Sequence, residues 1–235
     1  MLTKMMGRVA AGGVTPATSV YTGENFVTNP FSQVYNDAPI GTADSTRIVI
    51  VGILIKDRTE TAPTSVFISG SSASQIGTTH TFANGSDDYS ISFWGLSVSS
   101  GTTATIVATF NTPVDYSIMI VYALYNSTIT PTDQDDQAAL DLTDQGYLSH
   151  SITVQDNGTI ITMGQANDAS LNADDANYTV LTEDINLLDS GENTLYIAAH
   201  LDFITGADPQ AFILRNDYGP TIDIIQSTAM SFPAA

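Results

Sequence analysis

The chain has 235 residues, 25 acids against 6 bases for a formal charge of −19, and no cysteine. Six scattered bases cannot make the cationic footprint that nucleic-acid phosphates or an anionic lipid surface demand, and without cysteine there is neither a disulfide nor a thiolate zinc site. No stretch holds the roughly 20 consecutive apolar residues of a membrane-spanning helix, and with only 13% of residues charged the surface must be carried largely by Ser, Thr, Asn and Gln.

In chain order, residues 1–17 differ from the rest: they are Met-rich, Gly-punctuated, and contain Lys4 and Arg8. Gly7, Arg8, Gly12 and Gly13 break the apolar part, whereas a secretory signal needs about 7–15 uninterrupted apolar residues, so no signal peptide is expected. The segment reads as an extended arm. It either lies across its own domain or, on the sharper reading, docks to a neighbouring subunit, with Met1, Lys4, Met5, Met6 and Arg8 meeting an acidic surface. From Val20 to Pro39 the pattern is an irregular strand-and-turn segment anchored by Tyr21, Phe26, Phe31 and Tyr35. Arg47 to Asp57, RIVIVGILIKD, is a β-branched run too short and too uniformly apolar to be anything but a buried strand. Similar runs follow at Tyr89 to Val98, Thr105 to Phe110, Ser117 to Tyr125, Thr159 to Met163, Thr194 to Ala199 and Thr221 to Ile225. Between them, TSVFISG from Thr64 alternates in the manner of a half-buried strand and ends in a tight turn, which predicts a hairpin. Asn84-Gly85 and Asn157-Gly158 are type I′ turn signals, because both central residues of that turn need positive φ.

No segment shows full helical periodicity. The chain therefore reads as all-β, an antiparallel β-sandwich. Two acidic connections, 126–146 and 167–193, read as long loops. With no internal repeat and no clear linker, the expected organisation is an arm, 1–17, and one sandwich domain, 18–235.

Little in the sequence points to chemistry. His80, His150 and His200 are far apart and lack any spacing that brings two imidazoles to one metal, so each reads as a hydrogen-bonded sheet residue. A Ser-His-Asp set can be assembled from anywhere in a chain, but no GxSxG elbow supports one. The carboxylates lie mostly in predicted loops, and no pair stands out for glycoside hydrolysis. Asp133, Asp135 and Asp136, and Asp174 and Asp175 with Asn177, offer oxygens at alternate positions, yet the central Gly and distal Glu of a calcium loop are missing. No metal or cofactor is expected. Trp94 reads as a core residue under the second sheet. The two acidic connections, with Asp133, Asp135, Asp136, Asp174, Asp175 and Tyr178, remain candidate recognition loops for a receptor or a host-surface glycan.

The succession RIVIVGILIKD, TSVFISGSSASQ, SSGTTATIVATF and YSIMIVYALYN resembles a β-sandwich module found in structural proteins of tailed bacteriophages and prophages. The similarity covers about Thr46 to Asn126 and continues more weakly to about Phe203. Phe67 and Ser71 depart from the hairpin pattern of that module, which has a smaller residue and a second Gly there. The resemblance implies a virion component of head or tail, with other virion proteins as neighbours and no catalytic or metal residues. Unpaired β edges invite aggregation, and symmetric self-association, a trimer being favoured, would cover them. Together these expectations describe a non-enzymatic, jelly-roll-like virion protein anchored through its arm. A sugar-binding module or a sandwich hydrolase are the alternatives.

Overall fold

The computed structural model describes residues 15–57, 62–84, 87–142, 146–167, 176–178, 180–189, 194–204, 209–216 and 222–235. Among these there is no helix. The first half contains β1 (Thr18–Thr28), β2 (Ser32–Pro39), β3 (Ile48–Asp57), β4 (Ser65–Ile68), β5 (Ser71–Ser72), β6 (Ser74–Asn84), β7 (Asp87–Ser97), β8 (Thr103–Thr109) and β9 (Tyr116–Tyr125). The second half contains β10 (Asp133–Leu142), β11 (Tyr147–Thr153), β12 (Gly158–Asn167), β13 (Ala176–Tyr178), β14 (Thr182–Asp189), β15 (Thr194–Ile204), β16 (Pro209–Asn216) and β17 (Ile222–Phe232).

These strands form four antiparallel sheets in two pairs. A first inner sheet has the order β1-β9-β3-β7-β6 and a first outer sheet β2-β8-β4-β5. The second inner sheet runs β10-β17-β12-β15-β14 and the second outer sheet β11-β16-β13. The second half thus repeats the first strand for strand, with β10 in the place of β1, β12 of β3 and β17 of β9; only the two-residue β5 has no counterpart. The all-β sandwich architecture is as expected, but a single pair of sheets is not what forms. Each half builds its own sandwich, and the two inner sheets then pack against each other to give a four-layer stack.

Burial explains why the strands look as they do in sequence. Val49, Val51, Ile53 and Ile55 of β3 face the first outer sheet, within a core that also holds Val66, Ile106 and Trp94. Ile48, Ile50 and Leu54 of the same strand face the other way, against Ile161, Met163, Tyr196 and Met230 of the second inner sheet. A third core, with Leu148, Ile152, Leu195, Phe212 and Leu214, fills the second sandwich. Strands buried on both faces read as continuous apolar runs, and strands buried on one face alternate. Accordingly β3 and β9 are buried along nearly their whole length and are mostly apolar, while the outer strand β11 alternates exposed and buried along its whole length.

The central strands β3 and β12 cross at the middle of the stack, with β6 against β10 and β17, and β1 against β12 and β15. At the crossing Gly52 leaves room for Met163, whose Sδ occupies the space a β-carbon there would need. Each large apolar side chain removed from water here contributes about 1.5–3 kcal/mol, so the halves share one apolar seam and separating them would expose all of it.

Turn chemistry follows the sequence with one correction. Ser69 and Gly70 both have positive φ (52° and 77°) and join β4 to β5 as a two-residue hairpin. Asn84 pairs with Asp87 across the β6–β7 connection; Gly85 itself lies outside the described residues. Asn157 has φ 63°, but it does not close a hairpin: β11 pairs with β16, and β12 with β15 and β17. That turn is a corner by which the chain leaves an outer sheet for an inner one. The predicted long loops are corrected too, since 126–146 contains β10, and 167–193 contains β13 and β14. Their polar side chains look loop-like because both β10 and β14 are sheet edges.

Candidate functional site

The acidic run on β10 is structural glue. Asp133 accepts the backbone N–H of Thr153 at 2.9 Å and Asp135 that of Ser151 at 2.7 Å, so alternate carboxylates along one strand tie the edge of the second inner sheet to β11 of the second outer sheet. Asp136 accepts the side-chain amide of Gln134, whose Nε2 also reaches the Thr78 carbonyl of the first half. Burial pushes the Asp135 carboxyl up, but His150, the Ser151 N–H and the Gln137 amide together outweigh it and hold the group below its ordinary value.

Behind Asp135, among the described residues, lies a constellation that resembles catalytic machinery. Ser227 Oγ, on β17, is 3.0 Å from His150 Nε2, on β11, and His150 Nδ1 is 3.3 Å from Asp135 Oδ2, outside hydrogen-bond geometry. The order Ser, His, Asp is that of an acyl-transfer triad. Its surroundings are not. Ser227 and His150 are completely buried, His150 stacks on Phe212 with ring centroids 4.8 Å apart, and Tyr178 Oη sits 2.5 Å from Ser227 Oγ where a substrate carbonyl would have to enter. Thr162 Oγ1 lies 3.1 Å from both Tyr178 Oη and the Thr228 carbonyl, and its single proton serves one of them at a time. Ser227 is in the middle of a strand hydrogen-bonded on both sides and not on an exposed elbow. Tyr178, expected on a recognition loop, is therefore a core residue: burial raises its phenol well above the ordinary value, and its hydroxyl pins the second outer sheet to the inner one.

A second polar cluster spans the seam between the halves. In β14 the register shifts between Glu183 and Ile185, and such a bulge re-aims the extra residue. That residue, Asp184, accepts a hydrogen bond from Tyr122 Oη of β9 at 2.7 Å and lies 2.8 Å from His200 Nδ1 of β15. Two residues along the same strand, Asp202 accepts from the Ser19 N–H and hydroxyl of β1, both at 2.9 Å. Two carboxylates of the second half thus receive donors of the first. The hydrogen bond to Asp184 raises the His200 imidazole above its ordinary value against the opposing effect of burial, with the Asp184 and Asp202 charges adding to the rise. Burial likewise pushes the Tyr122 phenol up, and Asp184 adds to this.

Other sequence candidates fall into place around these. Trp94 is in the first core, its indole N–H donating to Ser92 Oγ at 3.2 Å. Arg47, buried, donates to the carbonyls of Val98, Gly41 and Ser100, closing the end of the first sandwich. Burial lowers the imidazole of His80, on β6, despite the nearby Asp136. Among the described residues no group of three or more His, Asp or Glu converges as a metal site. Met1, Lys4, Met5, Met6, Arg8, Asp174 and Asp175 lie outside the described residues. Sequence reasoning missed Tyr122, Asp184 and Ser227 because the partners that join them across sheets are 49 to 77 positions distant, even Asp184 and His200 are 16 apart, and no local motif marks such a pairing. No protein-family model matches the chain, and no curated protein is similar to it in sequence.

Proposed function

We propose that the chain is a non-enzymatic structural protein of a virion, built as two stacked jelly rolls and anchored in the particle through residues 1–17. The observation that carries this reading is where the reactive groups are used. Ser227 and His150 bond each other between the sheets of the second sandwich, Asp135 holds the Ser151 N–H, and Asp184 joins Tyr122 to His200 across the seam, so these polar groups act as joints between sheets, which supports a scaffold. Each half alternates between its two sheets, and the order 1-9-3-7 over 2-8-4 in the first, repeated in the second, fits the double-sheet wrap of jelly rolls, an architecture that capsid proteins and lectins share. The resemblance of Thr46 to Asn126 to phage sandwich modules favours the capsid side of that choice. A recognition role for the acidic connections is weakened, since Asp133, Asp135 and Tyr178 have internal partners.

The test is particle incorporation. Full-length chain should be found by mass spectrometry in purified particles at a stoichiometry matching a symmetric shell or tail, and a chain lacking residues 1–17 should fold, stay soluble and be absent from them. Normal incorporation of that truncation would refute the anchoring role, and absence of the full-length chain from particles would refute the virion role.

A further inference from the structure

Beyond Met163 the apolar seam between the halves holds a set of buried polar side chains. Gln165 of β12 lies opposite Tyr196 of β15 and Gln226 of β17, and residues paired across antiparallel strands share a face. Tyr196 belongs to the seam core, as do Ile161 and Met163 before Gln165 and Met230 after Gln226. Gln165, Gln226 and the intervening Thr228 therefore point into the seam, and all three are at most 1% exposed. Gln165 Nε2 reaches across to the Ile55 carbonyl of β3 at 3.4 Å. Its Oε1, both polar atoms of Gln226 and the Thr228 hydroxyl find no partner among the described residues. His80 of β6 joins the set from the first half, since it lies opposite the seam residue Ile91. It bonds the Gln137 backbone, and Gln137 is the register partner of Ser227, between Gln226 and Thr228. His80 Nε2 is buried without a partner among the described residues as well.

We propose that this part of the seam is an internal hydration site, in which ordered water joins Gln165, Gln226, Thr228 and His80 and so links the two sandwiches. A buried polar atom left dry loses its hydrogen bonds to water with nothing in return. For the five atoms of this set the combined loss would rival the net stability of a whole domain. Buried water typically makes about three bonds to groups of this kind. The chemistry of the set selects the ligand. The oxygens of Gln165 and Gln226 accept, the Gln226 amide donates, and the Thr228 hydroxyl does either. His80 uses Nδ1 for its bond to Gln137, which leaves Nε2 of the neutral ring an acceptor. A direct bond between the two carboxamides would serve one donor and one acceptor and leave the rest unpaired. A cation would face the Gln226 N–H groups, and Asp136, opposite Thr228, already has both carboxylate oxygens on the Gln134 amide. Water donates and accepts, so it serves every member. The hydrated set thus stands beside the dry contact of Gly52 with Met163, two residues before Gln165.

A crystal structure of the full chain that resolves ordered water should show water within about 3.2 Å of two or more of Gln165, Gln226, Thr228 and His80. In solution, oxygen-17 magnetic relaxation dispersion counts the water molecules held inside a protein, and the count should fall when Gln165→Leu and Gln226→Leu are combined. Stability adds a test of sign. In a hydrated site Gln226→Leu strips the water of a partner, and the unfolding equilibrium constant in urea should rise about tenfold. In a dry site the same change removes two unpaired polar atoms, and the chain should become more stable. Carboxamides bonded directly to each other with no water in reach overturn the proposal, as does a cation among these groups. So does an unchanged count of internal waters in the double variant, or a Gln226→Leu chain more stable than the parent.

Discussion

Gly52→Ala tests the shared seam directly. A β-carbon at that position would lie 1.8 Å from Met163 Sδ and 2.2 Å from its Cε, so the methionine must swing out of the centre of the four-layer stack. Extra volume in a packed core costs about 1–3 kcal/mol. With a urea dependence of about 2–3 kcal/mol per molar for a chain of this size, the unfolding midpoint should fall by roughly 0.5–1 M. Met163→Ala alone should cost about 2–5 kcal/mol through the cavity it leaves. Combining the two puts a methyl into that cavity, so the double variant should be more stable than the sum of the single losses predicts, by a coupling of order 1 kcal/mol or more. Because Gly52 belongs to one sandwich and Met163 to the other, a single cooperative transition should carry all of these shifts. Additive effects, or two transitions of which only one moves, would refute the claim that the halves share a core.

Four further outcomes follow from the same contacts. His200, whose folded value is raised, contributes stability that is complete below its ordinary value of 6.5 and is lost as pH rises through the folded value; urea melts of His200→Gln should therefore show a flatter decline in stability on the alkaline side than the parent chain, and identical profiles would refute the pairing. Asp135, whose folded value is lowered, contributes stability present above its ordinary 3.8 and lost as pH falls through the folded value, so Asp135→Asn should cost about 1–3 kcal/mol at pH 7 and remove part of the acid sensitivity. Tyr178→Phe should lower stability by about 1–2 kcal/mol without changing association with particles or glycans, and a selective loss of such binding would restore Tyr178 to a recognition role. Finally, raising salt from about 0.1 to 1 M shortens the screening length from about 10 to 3 Å, so a chain carrying 25 acids and 6 bases should melt at a higher temperature, and a falling melting temperature would show that net repulsion is not the governing term.

The sequence announces more about the layers than a two-sheet reading takes from it. In a lone sandwich each strand has one face to solvent, and the strands should alternate. RIVIVGILIKD and YSIMIVYALY do not, and the reason is now visible: alternate residues of each feed two different cores. Uniform strands beside alternating ones such as YLSHSIT are the signature of inner and outer sheets together. The repeat of the fold is hidden because the halves share a winding order and not a residue pattern; Gly52 is filled by Met163, while Gly164 of the second half is crowded instead by Tyr178 Oη. The polar clusters were still less legible. Asp184 reaches Tyr122 only because a bulge turns it, and bulge position depends on long-range register that no local window contains.

Edge strands supply the last link between charge and assembly. An exposed strand edge is a template for pairing with another chain, and like charges along it oppose that pairing. β14, an edge of the second inner sheet, carries Glu183, Asp184 and Asp189, and β1, an edge of the first, carries Glu24. The other acidic edge, β10, is met by β11 through Asp133 and Asp135. Acids thus stand on three of the four edges of the inner sheets, β1, β10 and β14, although Asp184 is turned into the seam and β6, the fourth edge, carries none. At the acidic edges, like charges disfavour growth by edge pairing, which has no natural stopping point. If Glu183→Thr with Asp189→Thr produces concentration-dependent fibrils while the parent chain stays dispersed, the acidic edge is acting as the guard; a dispersed double variant would show that the edge is closed by something other than its charge.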